Sequence, residues 1–416
     1  MDPNPPATSL LLRPRPPWTC RHGPRRRPRS VQKNKMGAAL LSCILFTCSF
    51  LALLRSYDAT PPSAGAAGPE AEPRAYAAPQ VGLKEADRIP SLVDQPKGNS
   101  SFNQYAGYVT VDPKHGRALF YYFVESPQEP TKKPLVLWLT GGPGCSSLGY
   151  GAMSQVGPFR VNSHRKLYEN PYALNTVANV IFLEYSAGVG FSYSNTTSDY
   201  ELSGDKRTAQ DSHTFLVNWL ERFPDYKNRD FYMAGSSYSG HYIPQLAKLI
   251  LLENNKTDKP INLNGIAIGN PYLDTYINTI KDRYEFLWSH AMYSDETHAT
   301  LLKTCNMTSF NSTECLSVRS QADREIGGID LFNIYAPFCH SNGSSSSNVK
   351  PLEYDPCNDY YVLDYLNNPS VQKTLHAVPR NWTFCSTWIN IEHTTMLHNM
   401  KQLIASGLRV WLYRQW

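Results

Sequence analysis

The sequence predicts an α/β protein built on one mixed, mostly parallel sheet. Three observations carry that prediction. Apolar runs at 134–139, 178–184, 230–235, 264–268 and 408–413 have the length of buried strands. Helix-period stretches alternate with them. Within 205–223, Leu216, Trp219, Leu220 and Phe223 recur at i, i+3, i+4 and i+7. Ahead of both, residues 104–111 and 118–125 alternate apolar and polar, like an antiparallel hairpin. Strands that alternate with helices build a sheet covered on both faces.

The chain opens with a segment that belongs to no core. Residues 1–35 are rich in Arg and Pro, without periodicity, and are expected to be disordered. Residues 36–54 are apolar and uncharged between Lys35 and Arg55. Their length fits a signal peptide or a signal anchor. Contact with a membrane is expected only if this segment stays as an anchor. Residues 55–85 are rich in Ala, Pro and Gly and read as a linker. The folded domain is expected over 86–416. Within it, 275–390 lacks strand periodicity and holds five of the six cysteines that follow residue 55. That stretch reads as an inserted helical cap.

Composition narrows the classes. The chain has 416 residues, 41% hydrophobic and 12% aromatic, enough for one large core. Its net charge is +5, but nine basic residues and one acid fall in 1–35, so the remainder is net negative. Nothing there signals nucleic-acid binding. Six cysteines after an apolar N-terminal segment suggest disulfides, and sequence alone leaves their pairing open. Seven Asn-x-Ser/Thr sequons, at Asn99, Asn195, Asn255, Asn306, Asn311, Asn342 and Asn381, fit passage through the secretory pathway. No metal or cofactor is expected, and the oligomeric state is not fixed.

The chemistry sits in three motifs. The run Asp230-Phe-Tyr-Met-Ala-Gly-Ser-Ser237 reads as a strand and turns through Tyr238-Ser-Gly240 into a helix pattern. This reads as the Gly-x-Ser-x-Gly nucleophile elbow of α/β-hydrolases, with Ser237 raised above the sheet. The strand Pro134-Leu-Val-Leu-Trp-Leu139 runs into Thr140-Gly-Gly-Pro-Gly-Cys-Ser-Ser-Leu148, a glycine-rich loop placed to supply an oxyanion amide. The third motif is Glu184-Tyr-Ser-Ala-Gly-Val-Gly-Phe-Ser-Tyr193.

Together these motifs resemble the serine carboxypeptidase family, especially its plant serine carboxypeptidase-like branch, over about residues 86–413. The resemblance implies an α/β-hydrolase fold with a disulfide-stapled cap. It implies the pairs Cys145–Cys385, Cys305–Cys315 and Cys339–Cys357. It makes Ser237 the nucleophile and the amides of Gly142 and Tyr238 the oxyanion donors. The expected activity is release of C-terminal residues from peptides through an acyl-serine. The substrate is a peptide or a small ester. The resemblance also implies a secreted or vacuolar destination, which favours cleavage of the segment 36–54. The residues 344–347 fall where related enzymes are nicked.

Several positions depart from the family pattern. The triad Asp is expected after the strand at 409–413 and the His tens of residues later. Neither stands in these 416 residues, so the last strands of the fold are missing from the expectation too. His241 lies on the elbow helix, and His290, His376, His393 and His398 fall in the cap or after it, so none is expected as base. The peptidase pattern places Asn and Gly before Gly-Pro-Gly and two proton-sharing Glu residues nearby. Here the substrate-binding positions read Thr140, Gly141, Ser154 and Ser236. Two readings therefore stand beside the peptidase: an acyltransferase using glucose esters, and an inactive pseudoenzyme.

Overall fold

The computed structural model describes residues 75–97, 101–337, 339, 355–387, 389–392 and 394–414. The basic segment, the apolar segment and most of the linker lie outside the described residues, as do Asn99, Asn342, His393 and 344–347.

The strands are β1 (Arg88–Ile89), β2 (Gln104–Asp112), β3 (Arg117–Val124), β4 (Leu135–Leu139), β5 (Phe159–Val161), β6 (Leu167–Glu169), β7 (Asn179–Leu183), β8 (Phe231–Ser236), β9 (Leu263–Gly269) and β10 (Arg409–Tyr413). Eight of them form one sheet, ordered β1-β2-β3-β7-β4-β8-β9-β10, while β5 and β6 pair separately. The pairs from β1 to β7 are antiparallel, and those from β7 through β4, β8 and β9 to β10 are parallel. The hairpin and the five apolar runs fall where the sequence placed them, within a residue or two.

The central strands β3, β4 and β7 are buried at every position. That is why they read as continuous apolar runs: both faces are covered. Successive residues serve opposite cores. Leu135, Leu137 and Leu139 face helices α1 (Asp205–Arg222) and α2 (Ser239–Asn254), meeting Phe215, Trp219, Tyr242 and Leu246. Val136 and Trp138 face the other way, toward Tyr361, Tyr365 and Trp382.

That second core divides the predicted cap. Helices α3 (Asp295–Thr304) and α4 (Thr313–Ile326) share a separate cluster with Ile280, Tyr284 and Leu287. Helix α5 (Asn358–Leu366) and Trp382 instead pack on the sheet, because Tyr361, Val362 and Tyr365 line one helix face. Three disulfides staple these parts, in the pairing the resemblance implied: Cys145–Cys385, Cys305–Cys315 and Cys339–Cys357. Cys305–Cys315 joins the end of α3 to the start of α4. At the other margin β10 pairs with β9 alone among the described residues, and Trp411 is 67% exposed. No helix among the described residues is long and apolar enough to cross a membrane.

One ion cluster ties the hairpin to the helical layer. Arg117, at the start of β3, holds Asp211 of α1 at 2.7 Å and Asp199 at 2.5 Å, with Asp112 at 3.2 Å. Arg207 reaches Asp199 from the other side at 3.1 Å. Asp199 and Asp211 are buried, so removing the guanidinium strands their charge. Arg117→Ala is expected to cost ~3–5 kcal/mol of stability, the usual penalty for breaking a buried pair. Urea unfolding followed by intrinsic fluorescence measures it, and a loss under about 1 kcal/mol would show that water already relieves these charges.

Candidate active site

Ser237 stands between β8 and α2 with φ 59°, in the left-handed region. Non-glycine residues hold that conformation only when their surroundings enforce it. Three backbone hydrogen bonds do so here. Ser237 N donates to Gly269 O at 3.0 Å, and Ser237 O accepts from Gly240 N at 3.0 Å and Tyr272 N at 2.9 Å. The end of β9 and the segment after it thus clamp the turn. The glycine spacing corrects the motif reading. Position 239 is a buried Ser, and the residue that must lack a Cβ is Gly240, where one would lie 2.5 Å from Tyr272 O.

The glycine-rich loop closes on this turn. A Cβ on Gly141 would lie 2.3 Å from Tyr238 N and 2.9 Å from Ser237 Cβ. The loop backbone therefore rests directly against the amide that follows Ser237. Two buried tyrosines fix the loop at that height. Tyr185 OH donates to Gly141 O at 2.8 Å, and Tyr242 OH accepts from Gly144 N at 3.1 Å. Their rings pack 4.6 Å apart. Cys145 N also donates to Gly141 O at 3.1 Å, and Cys145 is bonded to Cys385. Gly142 is exposed at the rim with φ 118°.

Behind the loop lies Glu184, fully buried. Its carboxylate accepts from Ser146 Oγ at 2.5 Å and from the Phe191 amide. Ser146 Oγ in turn accepts from Gly149 N at 2.9 Å. Burial pushes Glu184 up to about 7, against the pull of these donors and of Arg380. Neither Glu184 nor the two tyrosines was singled out from sequence, although Glu184 and Tyr185 open the third motif.

Asp205 was not foreseen either. It opens α1, is fully buried, and accepts from Tyr238 OH with both oxygens at 3.2 Å. Burial beside this carboxylate pushes the Tyr238 hydroxyl well above its ordinary range. The Tyr238 ring also stacks on His241 at 4.5 Å, and His241 Nδ1 lies 4.0 Å from Asp205. His241 is fully buried in that stack.

The other predicted positions divide. Ser236 and Gly141 join Ser237 and Tyr238 at the turn: Ser236 O would lie 2.7 Å from a Cβ on Gly141. Thr140 is buried, and its hydroxyl accepts from Trp138 Nε1 at 3.2 Å. Ser154 Oγ donates to Gly149 O and accepts from Asn358 Nδ2, both at 3.0 Å. These two hydroxyls are engaged in holding the loop and its neighbouring helix. The sequon residues Asn195, Asn255, Asn306, Asn311 and Asn381 are all exposed.

Comparison with known proteins follows the same outline. The serine carboxypeptidase family profile matches residues 93–415. Serine carboxypeptidase-like 40 of Arabidopsis thaliana is 47% identical over 352 residues, covering 81% of this chain and 69% of that protein. Serine carboxypeptidase-like 28 of the same plant is 48% identical over 344 residues, covering 79% and 74%. Among solved structures, a prohormone-processing carboxypeptidase from Saccharomyces cerevisiae superposes with a TM-score of 0.62 at 22% identity, covering 80% of this chain and 78% of that one. The last likeness is one of fold, the α/β-hydrolase fold.

The Glu184 environment predicts a pH dependence of stability. Its folded value, about 7, lies above the 4.5 of a free Glu. The folded chain therefore holds a proton that the unfolded chain releases. The contribution is full below about pH 4.5 and fades as pH rises through about 7, a change on the order of 3 kcal/mol. Denaturant midpoints measured from pH 4 to 8 should fall less steeply in Glu184→Gln than in the parent chain. Parallel curves would place the buried charge elsewhere.

Proposed function

The chain belongs to the serine carboxypeptidase family, and from that premise we propose that its Ser237 site is built to release C-terminal residues from peptides through an acyl-serine. The observation that carries the reading is the contact of Gly141 with the Tyr238 amide beside a left-handed Ser237. In this reading Ser237 Oγ attacks the scissile carbonyl carbon. The amides of Gly142 and Tyr238 hold the oxygen as it gains charge. The C–N bond then breaks, the amine leaves with a proton, and water hydrolyses the ester. Tyr185, Tyr242 and the Cys145–Cys385 bond keep the two amides aligned.

Proton removal from Ser237 needs a base, and loss of triad members costs ~10⁴–10⁶ in kcat. The family pattern puts the Asp just beyond β10 and the His later.

A second reading, acyl transfer from glucose esters to a small alcohol, draws on Thr140, Ser154 and Ser236. All three are neutral, and Ser154 is already bonded to Asn358 and Gly149 O. Paired carboxyls there would raise one another's pKa and select a free carboxylate at acid pH. Serines do neither. A pseudoenzyme that binds a ligand in the same cleft is the remaining outcome. The exposed sequons and the three disulfides support a secretory route.

Two experiments test these readings. The 416-residue polypeptide, expressed by itself in a secretory host, should label at Ser237 with a fluorophosphonate ~10³-fold or more slower than a full-length relative. Comparable labelling would mean that a base does reach Ser237. In a form continued through the family's Asp and His, turnover of peptides or glucose esters should vanish in Ser237→Ala. There Ser236→Glu combined with Ser154→Glu should create a preference for free C-terminal carboxylates and move the optimum to lower pH. An unaltered preference would remove these serines from the specificity argument.

A further inference from the structure

A cavity of about 630 Å³ is lined by Asn367, Pro369, Gln372, Lys373, His376, Ala377, Pro379 and Arg380. None of these residues belongs to the elbow or the glycine-rich loop. Three are basic and none is acidic. We infer that this cavity binds a small ligand bearing a phosphate or sulfate group through Lys373 and Arg380.

Arg380 is held before any ligand arrives. Arg380 Nη1 donates to Ser192 O at 3.1 Å, and its guanidinium lies over the Tyr193 ring at 5.5 Å. Its Nε is buried without a partner among the described residues. His376 adopts φ 55°, a left-handed conformation that closes the helix Pro369–Thr374. Its Nδ1 donates to Ala106 O at 3.1 Å, which fixes the ring against β2. The intervening turn is pinned where Val378 N donates to Tyr108 OH at 3.0 Å. Lys373 is exposed and has no ion-pair partner among the described residues.

The amides lining the cavity are already spent on the protein. Gln372 Nε2 donates to Leu366 O and Arg380 O, and Asn367 Nδ2 donates to Leu363 O and Trp382 O. Asp87, which feels the charge of His376, is bound by Arg222 at 2.5 Å and by Tyr121. What remains for a ligand is two positive donors, Lys373 and Arg380. The pre-placed guanidinium of Arg380 loses little freedom on binding, which favours a compact anion. The volume exceeds that of a bare phosphate and leaves room for an organic portion.

Calorimetric titration of the full chain in low-salt buffer tests this, with glucose 6-phosphate, inorganic phosphate and glucose as probes. Saturable binding of glucose 6-phosphate is expected, weakened about tenfold by Lys373→Gln, the loss of one charge-assisted hydrogen bond. Arg380→Gln should weaken it at least as much. Because Lys373 is exposed, that variant tests the site without disturbing the core. Tighter binding of the sugar phosphate than of phosphate assigns the site to an organic phosphate, and equal binding assigns it to the free anion. Absence of saturable binding, equal binding of glucose, or an unchanged affinity in Lys373→Gln overturns the inference.

Discussion

The contact of the Gly141 backbone with the Tyr238 amide is the constraint on which the rest of the site depends. No side chain fits between the two chains there. Each must therefore be fixed from behind, and each is fixed differently. The elbow is clamped by β9 and Tyr272 through backbone bonds. The loop hangs from Tyr185 and Tyr242, from a disulfide, and from Ser146 on Glu184. An α-helix could not supply both tyrosines at this spacing. One comes from the end of β7 and the other from α2, and the sheet order brings them together.

Much of this architecture was legible in the sequence, and the reason is local. Buried strands such as Leu135–Leu139 announce themselves because both faces are apolar. The elbow announces itself because a strand, a tight turn and a helix are written in one run. Pairs that meet across the fold leave no such trace. Asp205 looks like an ordinary helix-start acid until Tyr238 OH is found on its carboxylate. Glu184 looks like a strand-end acid until Ser146 and Phe191 are found on it. The cap reading ran together two groups for a similar reason. Helical periodicity is the same whether a helix packs on its neighbours, as α3 and α4 do, or on a sheet, as α5 does.

Buried charge is distributed according to its partners. Arg117 gathers several carboxylates at the hairpin, where geometry satisfies its guanidinium in full. Glu184 has hydroxyl and amide donors but only the more distant charge of Arg380, so it stays closer to neutrality. The first arrangement fixes elements to each other, while the second tolerates a change of protonation behind the glycine-rich loop.

The Cys145–Cys385 bond joins residues 240 positions apart. During synthesis the loop around Cys145 emerges long before its partner. The elbow, α2 and the whole α3–α4 cluster are translated in the interval. The loop beside Ser237 thus remains a free thiol arm on a growing chain, open to pairing with whichever of Cys305, Cys315, Cys339 or Cys357 appears first. The short spans of 10 and 18 residues between those four let each close with its neighbour and leave Cys145 its own mate. Of the six paired cysteines Cys385 is made last, so the loop beside Ser237 gains its bond only after the other five have emerged.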